Sequence, residues 1–95
     1  ASKKRKLGYV ESGSDIGFTD VRKKLHVLER DLGIELEVEE ADKPFFRAGR
    51  SGRLILDSEE IGFIGEFSDK VLEDWELEME TAGFELDLEK IREER

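Results

Sequence analysis

Two glycines interrupt the most apolar run of the sequence, Ile61-Gly62-Phe63-Ile64-Gly65-Glu66. Glycine weakens a strand interior unless another backbone or a helix must come close. The run therefore predicts a buried strand with a tight neighbour. Just before it stands Arg53-Leu54-Ile55-Leu56, and Asp57-Ser58-Glu59-Glu60 separates the two. Two apolar runs around a short polar turn predict a β-hairpin, although Asn-Gly and Asp-Gly are missing from the turn. Apolar residues at nearly every position predict that both faces of these strands are covered. Ser68 follows at once and can cap a helix. Strand, turn, strand, helix is the expected centre of the fold.

The other elements are read around this centre. Val21, Leu25, Leu28 and Leu32 fall on one helical stripe, so Thr19 to Leu32 predicts a helix. Thr19 is the expected cap, Asp20 suits the first turn, Phe18 can staple onto it and Gly33 ends it. Arg22, Lys23, Lys24, Glu29, Arg30 and Asp31 are expected on its exposed side. Leu7-Gly8-Tyr9-Val10 predicts a short strand, and the small residues between Glu11 and Gly17 predict a loop. Ile34-Glu35-Leu36-Glu37-Val38-Glu39 and Phe84-Glu85-Leu86-Asp87-Leu88 alternate strictly, giving strands with one core face and one acidic face. Pro44 to Gly52 reads as a loop entering the hairpin. Ser68-Asp69 opens a helix to about Glu76, with Val71, Leu72 and Trp75 inward. Glu89 to Arg95 is a short helix or tail. The fold class is α+β, a mostly antiparallel sheet with helices packed on one face. Residues 1–8 form a basic tail and 9–95 a single domain.

Charge and composition narrow the functions. The 95 residues support one modest core, and cysteine is absent, which removes disulfides, thiolate metal sites and a cysteine nucleophile. No apolar run is long enough to span a membrane, and the expected location is the cytoplasm. The net charge of −9 hides an asymmetry. Lys3, Lys4, Arg5 and Lys6 are basic, leaving 12 basic against 25 acidic residues elsewhere, a net −13. An acidic body repels nucleic-acid phosphate. The basic run reads as a solubilising flank in preference to a nucleic-acid arm.

Few residues survive as candidates for chemistry. His26 has no serine or cysteine at a recognisable spacing. Glu35, Glu37 and Glu39 recur along one strand face, nearly 7 Å apart, which suits solvent better than a metal. Gly49, Ser51 and Gly52 resemble a phosphate loop only faintly, because no helix follows them. Phe45 and Phe46 beside Arg47 and Arg50 form an aromatic and cationic cluster suited to a partner, or to closing the core while Arg50 pairs with a carboxylate. A carboxylate enzyme would have to use Glu66, Asp69, Glu85 or Asp87, with Glu66 best placed at the end of a buried strand.

Taken in order, Phe18-Thr19, Pro44-Phe45-Phe46 with Gly49-Arg50, Ile61 to Glu66, Val71-Leu72-Glu73 with Trp75, and Phe84 to Leu88 resemble a known family. It is the C-terminal part of the phenylalanyl-tRNA synthetase β subunit, in its archaeal and eukaryotic-cytosolic form. The resemblance runs from about Tyr9 to Leu88. It implies a class II synthetase-like fold and a catalytic-like module that is not itself catalytic. It implies packing against the α subunit in a heterotetramer, with tRNA contacted only indirectly. It implies no cofactor in this chain, ATP and magnesium belonging to the parent assembly. Phe45, Phe46, Arg50, Glu66, Trp75 and Glu85 become candidate interface or structural residues, with no catalytic or metal-binding residue. The chain departs from the family pattern in carrying Ser68-Asp69 where His-Pro is usual, Glu80 where proline is usual and Lys43 in place of a histidine. The chain is shorter than the whole module, so it reads as its C-terminal half or an isolated relative. These departures keep a second reading alive, a free-standing acidic module that binds a protein or dimerises through a sheet edge.

Overall fold

The structure, a computed structural model, describes residues 6–94, without the side chains of 92–94. The basic residues at 3–5 lie outside that range. Eight elements follow in order: β1 (Lys6–Gly13), α1 (Phe18–Leu32), β2 (Glu37–Glu40), β3 (Phe46–Leu56), β4 (Glu59–Phe67), α2 (Asp69–Asp74), β5 (Glu80–Asp87) and α3 (Leu88–Glu94). The five strands form one antiparallel sheet in the order β1-β5-β4-β3-β2. The central hairpin is β3–β4, as expected. Its turn is shorter than the sequence suggests, with only Asp57 and Ser58 between the paired Leu56 and Glu59. Both carry positive φ, 50° and 71°. Two successive left-handed residues match the twist of a tight hairpin, so Asp-Ser stands in for Asn-Gly.

The spacing of Ile61 and Ile64 is odd for a strand, since residues three apart should face opposite sides. Both are nevertheless buried in the same core cluster. A register shift resolves this. Leu54 pairs with Gly62 and Ile55 with Glu60, which leaves Ile61 as an extra residue. This bulge turns both isoleucines inward. Val21 and Leu25 of α1 pack against them together with Leu54, Phe84 and Leu86, and Ile91 of α3 closes the cluster.

The glycines of β4 are explained by close approach. A Cβ at Gly62 would stand 1.9 Å from the carbonyl oxygen of Glu85 on β5. A Cβ at Gly65 would stand 2.7 Å from the Phe46 ring and 2.8 Å from Ser51 Cβ. Glycine lets the hairpin press against β5 and lets Phe46 lie over the sheet.

Other expectations are corrected. The strand expected at Leu7 to Val10 is longer, β1 beginning at Lys6 and running on to Gly13, which takes Glu11 to Gly13 out of the expected loop. Phe46 to Gly52 are strand, with an irregularity between Phe46 and Ser51 where Gly49 has φ 74°. The alternating run 34–39 enters the sheet only from Glu37, and all four residues of β2 are exposed. The cause is α1. Gly33 ends the helix in a left-handed conformation, and the Ile34 amide donates to the Glu29 carbonyl. The Leu36 amide donates to the Glu29 side chain at 3.1 Å. The chain therefore wraps the helix end before it can join the sheet. Glu29 is accordingly buried, held also by Arg22, and not exposed as the helical pattern suggests.

The helices also do not share one face. Along β4, Ile64 faces α1, while Phe63, Gly65 and Phe67 alternate to the other side. Val71 and Trp75 of the α2 region line a groove with those phenylalanines. Trp75, expected inside, is 59% exposed. The second face of the hairpin is thus only partly covered.

Gly62→Ala is expected to lower stability by about 2–4 kcal/mol, because the new methyl meets backbone that cannot rotate away. Urea unfolding followed by circular dichroism would measure it. A loss within about 0.5 kcal/mol would show that the β4–β5 contact is looser than described.

Candidate functional site

The open sheet face is the most distinctive surface. Phe46 and Phe67 pair across β3 and β4, with ring centroids 5.2 Å apart. Phe45 and Phe63 join them at 4.6 and 5.7 Å from Phe46. Trp75 meets Phe67 at 5.7 Å from the far side of α2. Phe46 is buried, Phe45, Phe63 and Phe67 are half-buried, and Trp75 is exposed. Next to this cluster the sheet is bare, because Gly8 of β1 and Gly83 of β5 carry no side chain. The result is a groove of about 360 Å³ that ends at Val10 on β1, with Glu85 as its only charged lining residue.

Of the residues singled out in the sequence, Phe45, Phe46, Trp75 and Glu85 come together around this groove. Arg50 does not. It lies exposed at the irregular stretch of β3, and the expected pairing with a carboxylate is made by other arginines. Arg47, grouped with the aromatics in the sequence but not expected to pair, is one of them. Its guanidinium bonds Asp69 and Glu80, each at 2.6 Å, and lies 3.8 Å from Glu66. The hydrogen bond to Glu80, with a further one to Asp69, holds Arg47 above an arginine's ordinary pKa despite its partial burial. Its signal in the sequence was position: it directly follows the phenylalanine that starts β3.

Glu66 is brought to a different task from acid–base chemistry. Its Oε2 accepts the Phe18 amide at 2.9 Å, at the start of α1. Gly17 leaves the room for it, since a Cβ there would lie 3.1 Å from the same oxygen. Asp20 accepts the Gly17 amide at 2.8 Å. The helix is thus capped from Gly17, by a carboxylate from β4 and another from its own first turn, and Thr19 sits past the cap. Two of the other proposed carboxylates are also engaged, while Glu85 stands in the groove. Asp69 holds Arg47, and Asp87 Oδ1 accepts the Glu89 and Lys90 amides at 3.1 and 3.3 Å. Ser68 caps α2 through the Val71 amide, as expected.

A wider, polar cleft of about 1010 Å³ lies between the C-terminal end of α1 and the β3–β4 turn. Its central carboxylate, Glu29, is the one consumed by Arg22 and the Leu36 amide. His26 stands exposed at its rim, 3.6 Å from Glu29. Among the described residues no group of three histidine, cysteine, aspartate or glutamate side chains is placed to hold a metal ion. None of the described helices is long and apolar enough to cross a membrane.

With this geometry in hand, comparison with known proteins is decisive. Residues 1–88 match the phenylalanyl-tRNA synthetase beta chain CLM domain. The chain belongs to that family. It is 44% identical over 81 residues to the phenylalanine–tRNA ligase beta subunit of Thermococcus gammatolerans, covering 85% of this chain and 14% of that protein. It is 38% identical over 81 residues to the beta subunit of Pyrococcus abyssi, covering 85% of this chain and 15% of that one. The beta subunit of Methanocaldococcus jannaschii is 32% identical over 85 residues, 90% of this chain and 16% of its own length. The chain therefore spans about a seventh of these relatives.

Two outcomes follow from the local geometry. Glu66→Ala should lower stability by about 1–2 kcal/mol, the usual cost of losing a helix cap, measured by urea unfolding. Glu66→Gln, which keeps an acceptor for the Phe18 amide, should cost less. Equal losses would put the weight on the charge facing Arg47. Tyr9, the only tyrosine, donates to Glu11 Oε1 at 2.6 Å, and this bond holds its pKa above a tyrosine's ordinary 10.0. Its contribution to stability is therefore present below pH 10 and fades as pH rises through the folded midpoint. Phenolate absorbance should titrate above 10.0 in the folded chain, and Glu11→Leu should bring the midpoint back toward that value.

Proposed function

We propose that this chain is a non-catalytic module of a phenylalanyl-tRNA synthetase β subunit, and that it contacts the catalytic α subunit. In this reading the α subunit carries out the ATP-dependent charging of tRNA with phenylalanine. ATP and magnesium act there, and tRNA meets this module only indirectly, in the cytoplasm. The fold is the class II synthetase-like, catalytic-like type, of the archaeal form. The antiparallel sheet with its helices supports the first part, and the identity to archaeal beta subunits supports the second.

One observation carries the proposal. The aromatic groove leaves apolar surface open among the described residues, while Glu66, Asp69 and Asp87, proposed above for chemistry, are engaged in capping or ion pairs. Apolar surface left open in so acidic a chain marks a contact with another protein. Aromatic anchors of this kind dominate the energy of protein interfaces.

The test is sedimentation velocity of the chain alone and mixed with a phenylalanyl-tRNA synthetase α subunit from a Thermococcus relative. A co-sedimenting complex in the low-micromolar range is expected. Trp75→Ala should weaken it by about tenfold or more, as loss of a buried aromatic anchor does. An α subunit and a chain that sediment independently even at high-micromolar concentration would overturn the assignment, and a self-dimer with no α binding would favour the free-standing module.

A further inference from the structure

The groove has a shape and a charge that select its occupant. It crosses β1, β5 and β4, two strand spacings or about 10 Å, and the bare backbone at Gly8 and Gly83 forms its floor. An α-helix with its side chains is about 10–12 Å wide. Val10, 58% exposed, stands on one side and the Phe63, Phe67 and Trp75 rings on the other. A Cβ at Gly8 would meet only the Phe84 carbonyl oxygen, at 4.0 Å, so the floor there is open space.

The charges around the groove are predominantly acidic, with Lys6 and Lys90 at a neighbouring hollow beside Phe63 and Glu85 and with Lys70 on α2. Glu85 lines it, and no lysine or arginine does. The chain around Trp75 adds Glu73, Asp74, Glu76 and Glu78, all exposed. Of these Asp74 faces a cation, Lys70 at 3.6 Å. A second copy of the chain is a poor occupant, since each copy carries a net −9 and its one long amphipathic helix already covers the opposite face.

We infer that the groove receives an amphipathic helix of a partner protein, with its apolar stripe on the aromatic rings and lysines or arginines flanking the stripe. This rests on the reading of the face as the partner contact and adds the chemistry of the segment that fills it. Helices dock in such grooves through residues at i, i+3, i+4 and i+7. Basic flanks opposite an acidic rim speed encounter and make it sensitive to salt.

The sequence provides its own reporter, because Trp75 is the only tryptophan. The probe is a synthetic peptide of about fifteen leucines and lysines with leucine at the helical stripe positions. One control has the same composition scrambled so that no stripe forms, and a second has glutamate in place of lysine. The stripe peptide is expected to shift Trp75 emission to the blue with micromolar affinity, and both controls to bind at least about tenfold more weakly. Val10→Glu should weaken binding by about tenfold or more. Val27→Glu adds the same charge on the exposed side of α1, at a residue 51% exposed, and should leave binding unchanged. Gly8→Leu, whose Cβ comes no closer than 4.0 Å to the Phe84 carbonyl oxygen, fills the floor and gives a second block should Val10→Glu disturb β1.

Equal binding of the scrambled peptide would reduce the effect to general charge attraction and overturn the inference. So would tight binding of the glutamate peptide, indifference to both groove variants, or a concentration-dependent blue shift of the chain alone, which would make a second copy the occupant. If the α subunit binds while the stripe peptide does not, the helix inference falls and the assembly role stands. If the peptide binds and the α subunit does not, the reverse holds.

Discussion

The carboxylate of Glu66 sits where four parts of the chain converge. Through Oε2 it receives the first amide of α1, and its other oxygen faces Arg47, which in turn holds Asp69 and Glu80. A helix N-terminus carries unsatisfied amides and a partial positive charge, so an anion from the sheet both caps it and fixes where it lands. Without that tie, the apolar stripe of α1 could slide along the sheet at little cost, since hydrophobic contact alone has no direction. The same small network fixes the start of α2 and the start of β5. The helix on one face and the aromatic cluster on the other are thus registered by one set of charges, in which Glu66 and Arg47 are part-buried and less screened while Asp69 is 89% exposed and screened like a surface group.

What was legible in the sequence follows from this. The hairpin, α1 and β5 were readable because their signals are periodic and local. The two glycines of β4 were correctly read as sites of close approach, although only the fold shows that β5 and Phe46 are what approaches. The misreadings come from contacts and chain ends that local patterns do not report. Thr19 looked like a cap because it is a good one, but Glu66, 48 residues away from Phe18, does the capping. Glu29 looked exposed because its helical position is polar, yet the chain returning after Gly33 needs an acceptor there. Trp75 looked internal because it continues an apolar spacing, but α2 ends at Asp74 and the residue turns toward the open face.

The candidate site was half legible. Phe45, Phe46, Trp75 and Glu85 were chosen for unrelated reasons and meet at one groove. Phe63 and Phe67 were missed as members because an alternating apolar strand does not say which face lacks a cover. Arg50 was chosen over Arg47 by composition alone. The two stand on either side of Gly49 in the irregular stretch of β3, so strand alternation does not tell which one meets α2. The family relation to the beta subunits runs over residues 1–88, through both the hairpin and the groove.

The two rims of the sheet are unequal. At one, β2 is four residues long, and three of them, Glu37, Glu39 and Glu40, are exposed carboxylates. At the other, β1 runs eight residues and carries few charges. Open-ended stacking into a fibre would require the β1 rim of one molecule to join the β2 rim of the next, over and over. The short acidic rim is a poor template for that step. Any growth of this sheet can proceed from one side only, and it therefore closes after a single addition.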